Sequence, residues 1–296
     1  MGGPEGQGEG VCKVSWKSLL TERIFEQEGK MRRRPSVAGS FYPADPKELR
    51  ALLDDLCGSE APEKLQAKAV LVPHAGLLYS GRIACAVYKR VEIPDRILLL
   101  GPNHTGFGPD VSVYRGEAWE TPFGEVPVDG EFVEAILRHP VAEADQSAHL
   151  YEHSLEVQLP FLQRYALRAF RIVPVVMKFV NYDRAQVLGS FLGNLLREKP
   201  ALVVISSDMS HYVPARRAEE RDRLLISAME RLLTEELYFK RIQYNISMCG
   251  FIPAVTGIEA VRVLGAKRGI LVDYGHSGEV TGDEENVVAY AGMIFV

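Results

Sequence analysis

Long apolar runs are missing from this chain, and none approaches the roughly 20 consecutive apolar residues that a bilayer-spanning helix requires. The four cysteines, Cys12, Cys57, Cys85 and Cys249, are widely spaced and form no C-x-x-C pair. That spacing argues against a zinc knuckle and a dense disulfide framework, so Cys57 and Cys85 read as small buried apolar groups. Basic charge is not in excess either. With 34 Lys and Arg against 39 Asp and Glu, the net charge of −5 leaves no footprint for nucleic acid or an anionic membrane surface. The glycine-rich start, Met1 to Gly10, lacks the basic and apolar regions of a signal peptide, so the expected location is cytoplasmic. Histidine is scarce, with seven residues, and its placement therefore carries information.

What is present is an ordinary folded composition, 47% hydrophobic and 25% charged, which excludes global disorder. Residues 1–30 look foreign to the rest. Their glycine-rich segment cannot pack a core, and only Val14 to Phe25 suits a short amphipathic helix. They read as a poorly ordered N-terminal extension to a single domain over 31–296. From Arg34 onward strands and helices alternate. Asp45-Pro46 opens a helix with a stripe of Leu49, Leu52, Leu53 and Leu56. Strands are expected at 69–72, 97–100, 111–114, 171–177 and 202–205, with helices over 81–91, 130–139, 154–166 and 183–198. The two prolines within 120–128 limit that segment to an irregular or edge hairpin. One long charged helical region is expected over 214–240 and a helix over 251–264. Two strands, 269–274 and 287–296, close the chain, the last antiparallel at an edge. The pattern predicts a three-layer α/β/α sandwich around a largely parallel, mixed sheet.

Three unbroken apolar runs deliver a histidine close after their ends: Ala69 to Val72 before Pro73-His74, Ile97 to Leu100 before Gly101-Pro102-Asn103-His104, and Leu202 to Ile205 before Ser206-Ser207-Asp208-Met209-Ser210-His211. Runs without polar alternation are strands buried on both faces, and ligands of open α/β sheets bind at the carboxyl ends of such strands. A single histidine at a strand end is more often structural; two behind the same proline-stiffened turn point to a shared ligand. Asp208 lies three residues before His211, a spacing that can place carboxylate beside imidazole and raise its basicity. Ser206, Ser207 and Ser210 lack a Gly-x-Ser-x-Gly elbow and read as caps of the following helix rather than nucleophiles. Cys249, in a loop opening a helix, is placed where backbone N–H groups favour thiolate, although a buried apolar cysteine is an equal reading. Two imidazoles and a thiolate suit zinc, copper or iron. His149-Leu150-Tyr151-Glu152-His153 matches the H-x-x-E-H zinc-protease pattern. The polar loop before it and the cap-like Asp145 and Ser154 argue against the required helix.

Taken in order, Ala38-Gly39-Ser40-Phe41-Tyr42, Pro73-His74-Ala75-Gly76, Gly101-Pro102-Asn103-His104, Glu152-His153-Ser154-Leu155-Glu156, the segment Ser206 to His211 and Cys249-Gly250 carry a likeness. The chain resembles the Memo family, described in bacteria and archaea as protein B of the AmmeMemoRadiSam system, over Arg34 to Val296. That family is similar in fold to class III extradiol dioxygenases, non-haem iron(II) enzymes. The resemblance implies His74, His104 and Cys249 as metal ligands, with Cys249 where those dioxygenases have a glutamate. It implies His211 as acid/base residue with Asp208 beside it, and His153 and Asn103 as residues facing substrate. The implied cofactor is one metal ion, iron(II) first, with copper or zinc as alternatives. The implied function is a dioxygenase-like oxidoreductase acting on a small aromatic molecule. The alternative is a non-catalytic module for a peptide or other ligand, or an accessory protein. The family name adds a radical-SAM enzyme and the third protein of that system as expected partners.

Overall fold

The computed structural model describes residues 31–60 and 62–296. The expected N-terminal extension, including Cys12 and the amphipathic stretch Val14 to Phe25, lies outside the described residues. In chain order the elements begin with β1 (Arg32–Arg33), α1 (Pro46–Cys57), β2 (Ala69–Val72), α2 (Leu77–Tyr88), β3 (Arg96–Pro102), β4 (Val111–Val113), β5 (Ala118–Thr121) and β6 (Gly124–Pro127). They continue with α3 (Gly130–Ile136), β7 (Glu143–Ala144), α4 (Ser147–Leu150), α5 (Leu159–Tyr165), β8 (Arg171–Met177), α6 (Tyr182–Glu198), β9 (Leu202–Ser206) and β10 (His211–Val213). The remainder is α7 (Ala215–Glu230), α8 (Thr234–Gln243), α9 (Phe251–Val263), β11 (Gly269–His276), α10 (Gly278–Thr281) and β12 (Val287–Phe295).

The main sheet has the order β10-β12-β2-β9-β3-β8-β4-β7, with β11 also paired to β12. Its centre, β2-β9-β3-β8, is parallel. The apolar runs behave as strands covered on both sides. Ala69 and Leu71 join one core while Val70 and Val72 join the other, and Leu98 and Leu100 part from Ile97 and Leu99 in the same way. Side chains of successive strand residues point to opposite faces, so an all-apolar strand needs a helical layer on each. Helices α1, α2 and α5 form one layer, and α3, α6, α7, α8 and α9 the other. This is the three-layer α/β/α sandwich with a mixed sheet, in one domain. Among the described residues, no helix is long and apolar enough to cross a membrane.

Local chemistry sets the helix ends. The Asp45 carboxylate accepts hydrogen bonds from the N–H groups of Lys47 and Glu48 at 2.8 and 3.0 Å, capping α1. Several boundaries differ from expectation. The long charged helix is two, α7 and α8, because Leu232 takes φ = 58° and ends the first. The hairpin within 120–128 is regular, but it pairs with β1 in a separate three-stranded sheet, where its prolines interrupt no central ladder. The last strand is antiparallel as expected but is not at an edge. β12 pairs with β2 on one side and β11 on the other, and β11 takes the edge.

Cys57 and Cys85 are corrected as well. They are bonded to each other, with their Cα atoms 5.0 Å apart, tying the end of α1 to α2. Both are buried, as expected, but they are not free thiols. Their 28-residue separation shows no pairing motif, and only the packing of two helices brings them together.

Candidate metal centre

At the carboxyl rim of β2, β3 and β9 the side chains of His74, His104 and Cys249 converge, with their ligating atoms all within 4.8 Å of one another. His74 is carried by the turn that follows β2, and its ring is buried. Its Nδ1 lies 2.8 Å from Ser206 Oγ. That hydroxyl donates to the Ser154 carbonyl at 2.6 Å and accepts from Gln158 Nε2 at 2.9 Å. Its one proton being committed, Ser206 must accept from His74, so Nδ1 carries the hydrogen and Nε2 keeps its lone pair. Nε2 lies 3.3 Å from Cys249 Sγ. Burial, and then the neighbouring His153 and His104, lower the His74 pKa well below the usual imidazole value, which keeps the ring neutral.

The same logic applies to His104. Its Nδ1 is 2.9 Å from Glu152 Oε1, and its backbone N–H also donates to this carboxylate. Burial works to raise the Glu152 pKa. The hydrogen bond from His104, the charges of His104 and His153, and the Ser154 N–H outweigh it and hold the pKa at about 2. An ionised carboxylate only accepts, so His104 also carries its proton on Nδ1 and presents Nε2. For His104 the cost of burial is overcome by Glu152, and its pKa is raised. His153 stacks on His104 with centroids 4.8 Å apart and packs against Phe41 at the same distance. Its Nδ1 is 3.6 Å from Glu152, so His104, Glu152 and His153 form a second cluster of donor atoms.

Cys249 precedes Gly250, the residue that opens α9. Its Sγ accepts from the Asp208 N–H at 3.3 Å. The thiolate expected at this helix start is corrected. Burial and the Asp208 charge push the thiol pKa up, against the backbone donors that favour the anion. Gly250 fits because its backbone presses on Ser206 and Ser207; a Cβ would lie 2.4 Å from the Ser206 carbonyl oxygen. Asp208 is also buried and accepts from the His74 N–H at 2.8 Å. Burial raises its pKa, opposed by that hydrogen bond and by the surrounding histidines.

His211 opens β10 on the same rim. Its Nδ1 donates to the Met209 carbonyl at 2.8 Å, which leaves Nε2 as an acceptor. The Asn103 amide closes its own turn, donating to the Phe107 carbonyl at 2.7 Å and accepting from Thr105 and Gly106. The capping role expected of the serines is corrected. Ser206 orients His74, Ser207 accepts from the Gly250 N–H, Ser210 donates to buried Asp222 at 2.6 Å, and α7 has no side-chain cap. The H-x-x-E-H match forms no protease helix. α4 ends at Leu150, and the His149 ring packs against Tyr114 and Trp119 with Nε2 donating to the Ser112 carbonyl.

The donor set fits a metal ion. A tetrahedral centre with metal–nitrogen bonds of about 2.0 Å and metal–sulfur bonds of about 2.3 Å holds its donors roughly 3.3–3.6 Å apart. The His74 Nε2–Cys249 Sγ separation of 3.3 Å falls at that spacing, and His104 brings its donor within 4.8 Å of both.

Comparison with known proteins agrees with the whole frame. The Memo-like protein family matches residues 33–294. The chain belongs to the Memo family. A MEMO1 family protein of Aquifex aeolicus is 64% identical over 264 residues, 89% of this chain and 99% of that one. Another, from Methanopyrus kandleri, is 39% identical over 280 residues, covering 90% and 99%. The uncharacterized protein JW3007 from Escherichia coli K12 shares the fold, with a TM-score of 0.50, 14% identity and coverage of 77% of this chain and 100% of that one. Three residues of this Memo chain escaped sequence reasoning as parts of the centre. Ser206, Gln158 and Glu152 orient the two histidines across 132 and 48 positions of sequence, and nothing in their immediate neighbours signals those pairings.

Proposed function

We propose that this Memo-family protein binds one transition-metal ion through His74 Nε2, His104 Nε2 and Cys249 Sγ, and acts as a dioxygenase-like oxidoreductase on a small aromatic molecule. The observation that carries the reading is that both histidines have Nδ1 committed as a hydrogen-bond donor, so each aims a lone pair at the space beside the cysteine sulfur. Iron(II) is the first candidate, and the Cys249 sulfur, which gives up its proton on binding a metal, keeps copper and zinc in contention. Bound there, such an ion supplies Lewis-acid or one-electron redox chemistry.

The chain's own residues do the rest. His211, with Nδ1–H held by the Met209 carbonyl, takes a proton from a substrate hydroxyl at Nε2 and later returns it. Asp208, within the field of His211 and His153, stabilises the imidazolium that forms. The His153 ring, held between His104 and Phe41, offers its exposed edge to a substrate, and Asn103 shapes the turn beside it. The exposed rings of Tyr79 and Tyr212, next to the His74 turn and His211, favour a second reading. In that reading the same cleft recognises a peptide or small ligand without turnover, as an accessory to radical-SAM partner proteins.

Elemental analysis of protein purified without a metal-binding tag tests the proposal. About one equivalent of metal is expected in the parent, lost in His74→Ala and in Cys249→Ala, each checked for native circular dichroism. Unchanged stoichiometry in both folded variants refutes it. Oxygen uptake with a catechol panel separates the oxidoreductase from the binding module.

A further inference from the structure

At the opposite rim of the sheet, where β3 and β8 begin, a cavity of about 340 Å³ lies between α1, the β5–β6 hairpin and the end of α5. Leu53, Val126 and Phe170 make an apolar floor, all three buried, and the Phe123 ring forms part of the wall. Around them stand Arg50, Arg164 and Arg168, against one acid, Glu125. Glu125 is already paired with Arg32 at 2.8 Å, and Arg164 with Asp54 at 2.6 Å. Arg50 and Arg168 have no ion pair among the described residues; the Arg50 guanidinium lies over Phe123, 5.2 Å from its centroid. Past Pro127 and Phe170 the cavity adjoins a second hollow where Arg96 and Arg171 are balanced by Asp95 and Asp129, so the positive excess is confined to the first. In a chain whose net charge is −5, this is a local reversal of sign.

We propose that this cavity binds a small phosphate monoester carrying a flat apolar ring. A phosphate monoester has a charge of about −1.5 to −2 at neutral pH, which matches two uncompensated guanidinium groups, and the planar fork of arginine engages phosphate oxygens in pairs. The aromatic and aliphatic floor takes the ring. The volume falls at the small end of the roughly 300–1,000 Å³ typical of small-molecule sites. With no unpaired carboxylate among its walls, the cavity suits an anion and not a cation. It is separate from the metal centre. β3 and β8 run in register from Arg96 and Arg171 to Pro102 and Met177, so roughly 20 Å of strand lies between the two rims.

Calorimetric titration at low salt, on protein stripped of metal with a chelator, tests the site with phenyl phosphate and adenosine monophosphate. Expected are saturable binding of at least one probe, a tenfold or greater loss in Arg50→Gln and in Arg168→Gln, and no measurable binding in the double variant. Arg184→Gln, a remote exposed arginine, should match the parent. Phenol and inorganic phosphate should each bind at least tenfold more weakly than phenyl phosphate. Absence of binding by both probes at millimolar concentration overturns the proposal. So does affinity that survives the double variant, or inorganic phosphate binding as tightly as phenyl phosphate. Because the titration needs no metal, its failure is distinct from failure of the metal assignment.

Discussion

Single side chains decide whether the centre presents lone pairs or protons. Glu152 holds His104 in the Nδ1–H tautomer, and the Gln158–Ser206 pair does the same for His74. Replacing Glu152 with Gln removes the ionised acceptor but keeps the shape. Metal affinity should fall by about 10–100-fold with the fold intact, measured by competition with a chromophoric chelator. Asp222 gives a second residue-scale outcome. Burial pushes its carboxyl up to about 6 from 3.8, against hydrogen bonds from Ser210 and Tyr274. An acid with a raised native pKa is more protonated when folded, so its contribution to stability is full below the unfolded value and is lost as pH rises through the native one. Between pH 4 and 6 the parent should therefore lose about 2 kcal/mol relative to Asp222→Asn, read by denaturant unfolding at several pH values. The strand-end histidines were legible in the sequence because each follows an apolar run directly. The residues that orient them were not, since a hydrogen-bond partner 132 positions away leaves no local pattern.

At the scale of elements, composition and periodicity placed most strands and helices, while junctions were decided elsewhere. One helix became α7 and α8 at the left-handed Leu232, a break that the charge pattern does not encode. The serines after β9 looked like caps because short hydroxyl residues usually cap helices. Here the chain continues into β10, and their hydroxyls turn inward to His74, Gly250 and Asp222. The α1–α2 disulfide belongs to this scale also. It closes a loop of 28 residues, so Cys57→Ala/Cys85→Ala or reduction should cost about 3–4 kcal/mol, seen as a lower denaturant midpoint. Equal midpoints for the oxidised and reduced protein would contradict this.

The whole molecule is a sandwich whose sheet is completed by its C-terminal strand. β12 joins β11 to β2, and its Met293, Ile294 and Phe295 are fully buried. Deleting 287–296 should therefore abolish the cooperative fold, giving no sharp thermal transition by circular dichroism. A truncated chain that melts cooperatively near the parent would show the strand to be dispensable. An edge strand, as the sequence alone suggested, would be the more tolerant site.

Sequence by itself determined the layered α/β class, the parallel core and the family, because apolar runs, helix caps and ordered motifs are local signals that survive any arrangement in space. Only tertiary structure decided which atoms face one another. The 175 positions between His74 and Cys249 close to 3.3 Å, the tautomers follow from partners on distant segments, and the arginine-lined cavity arises where separate segments meet. Such contacts depend on how the layers pack, and packing is a property of the folded whole.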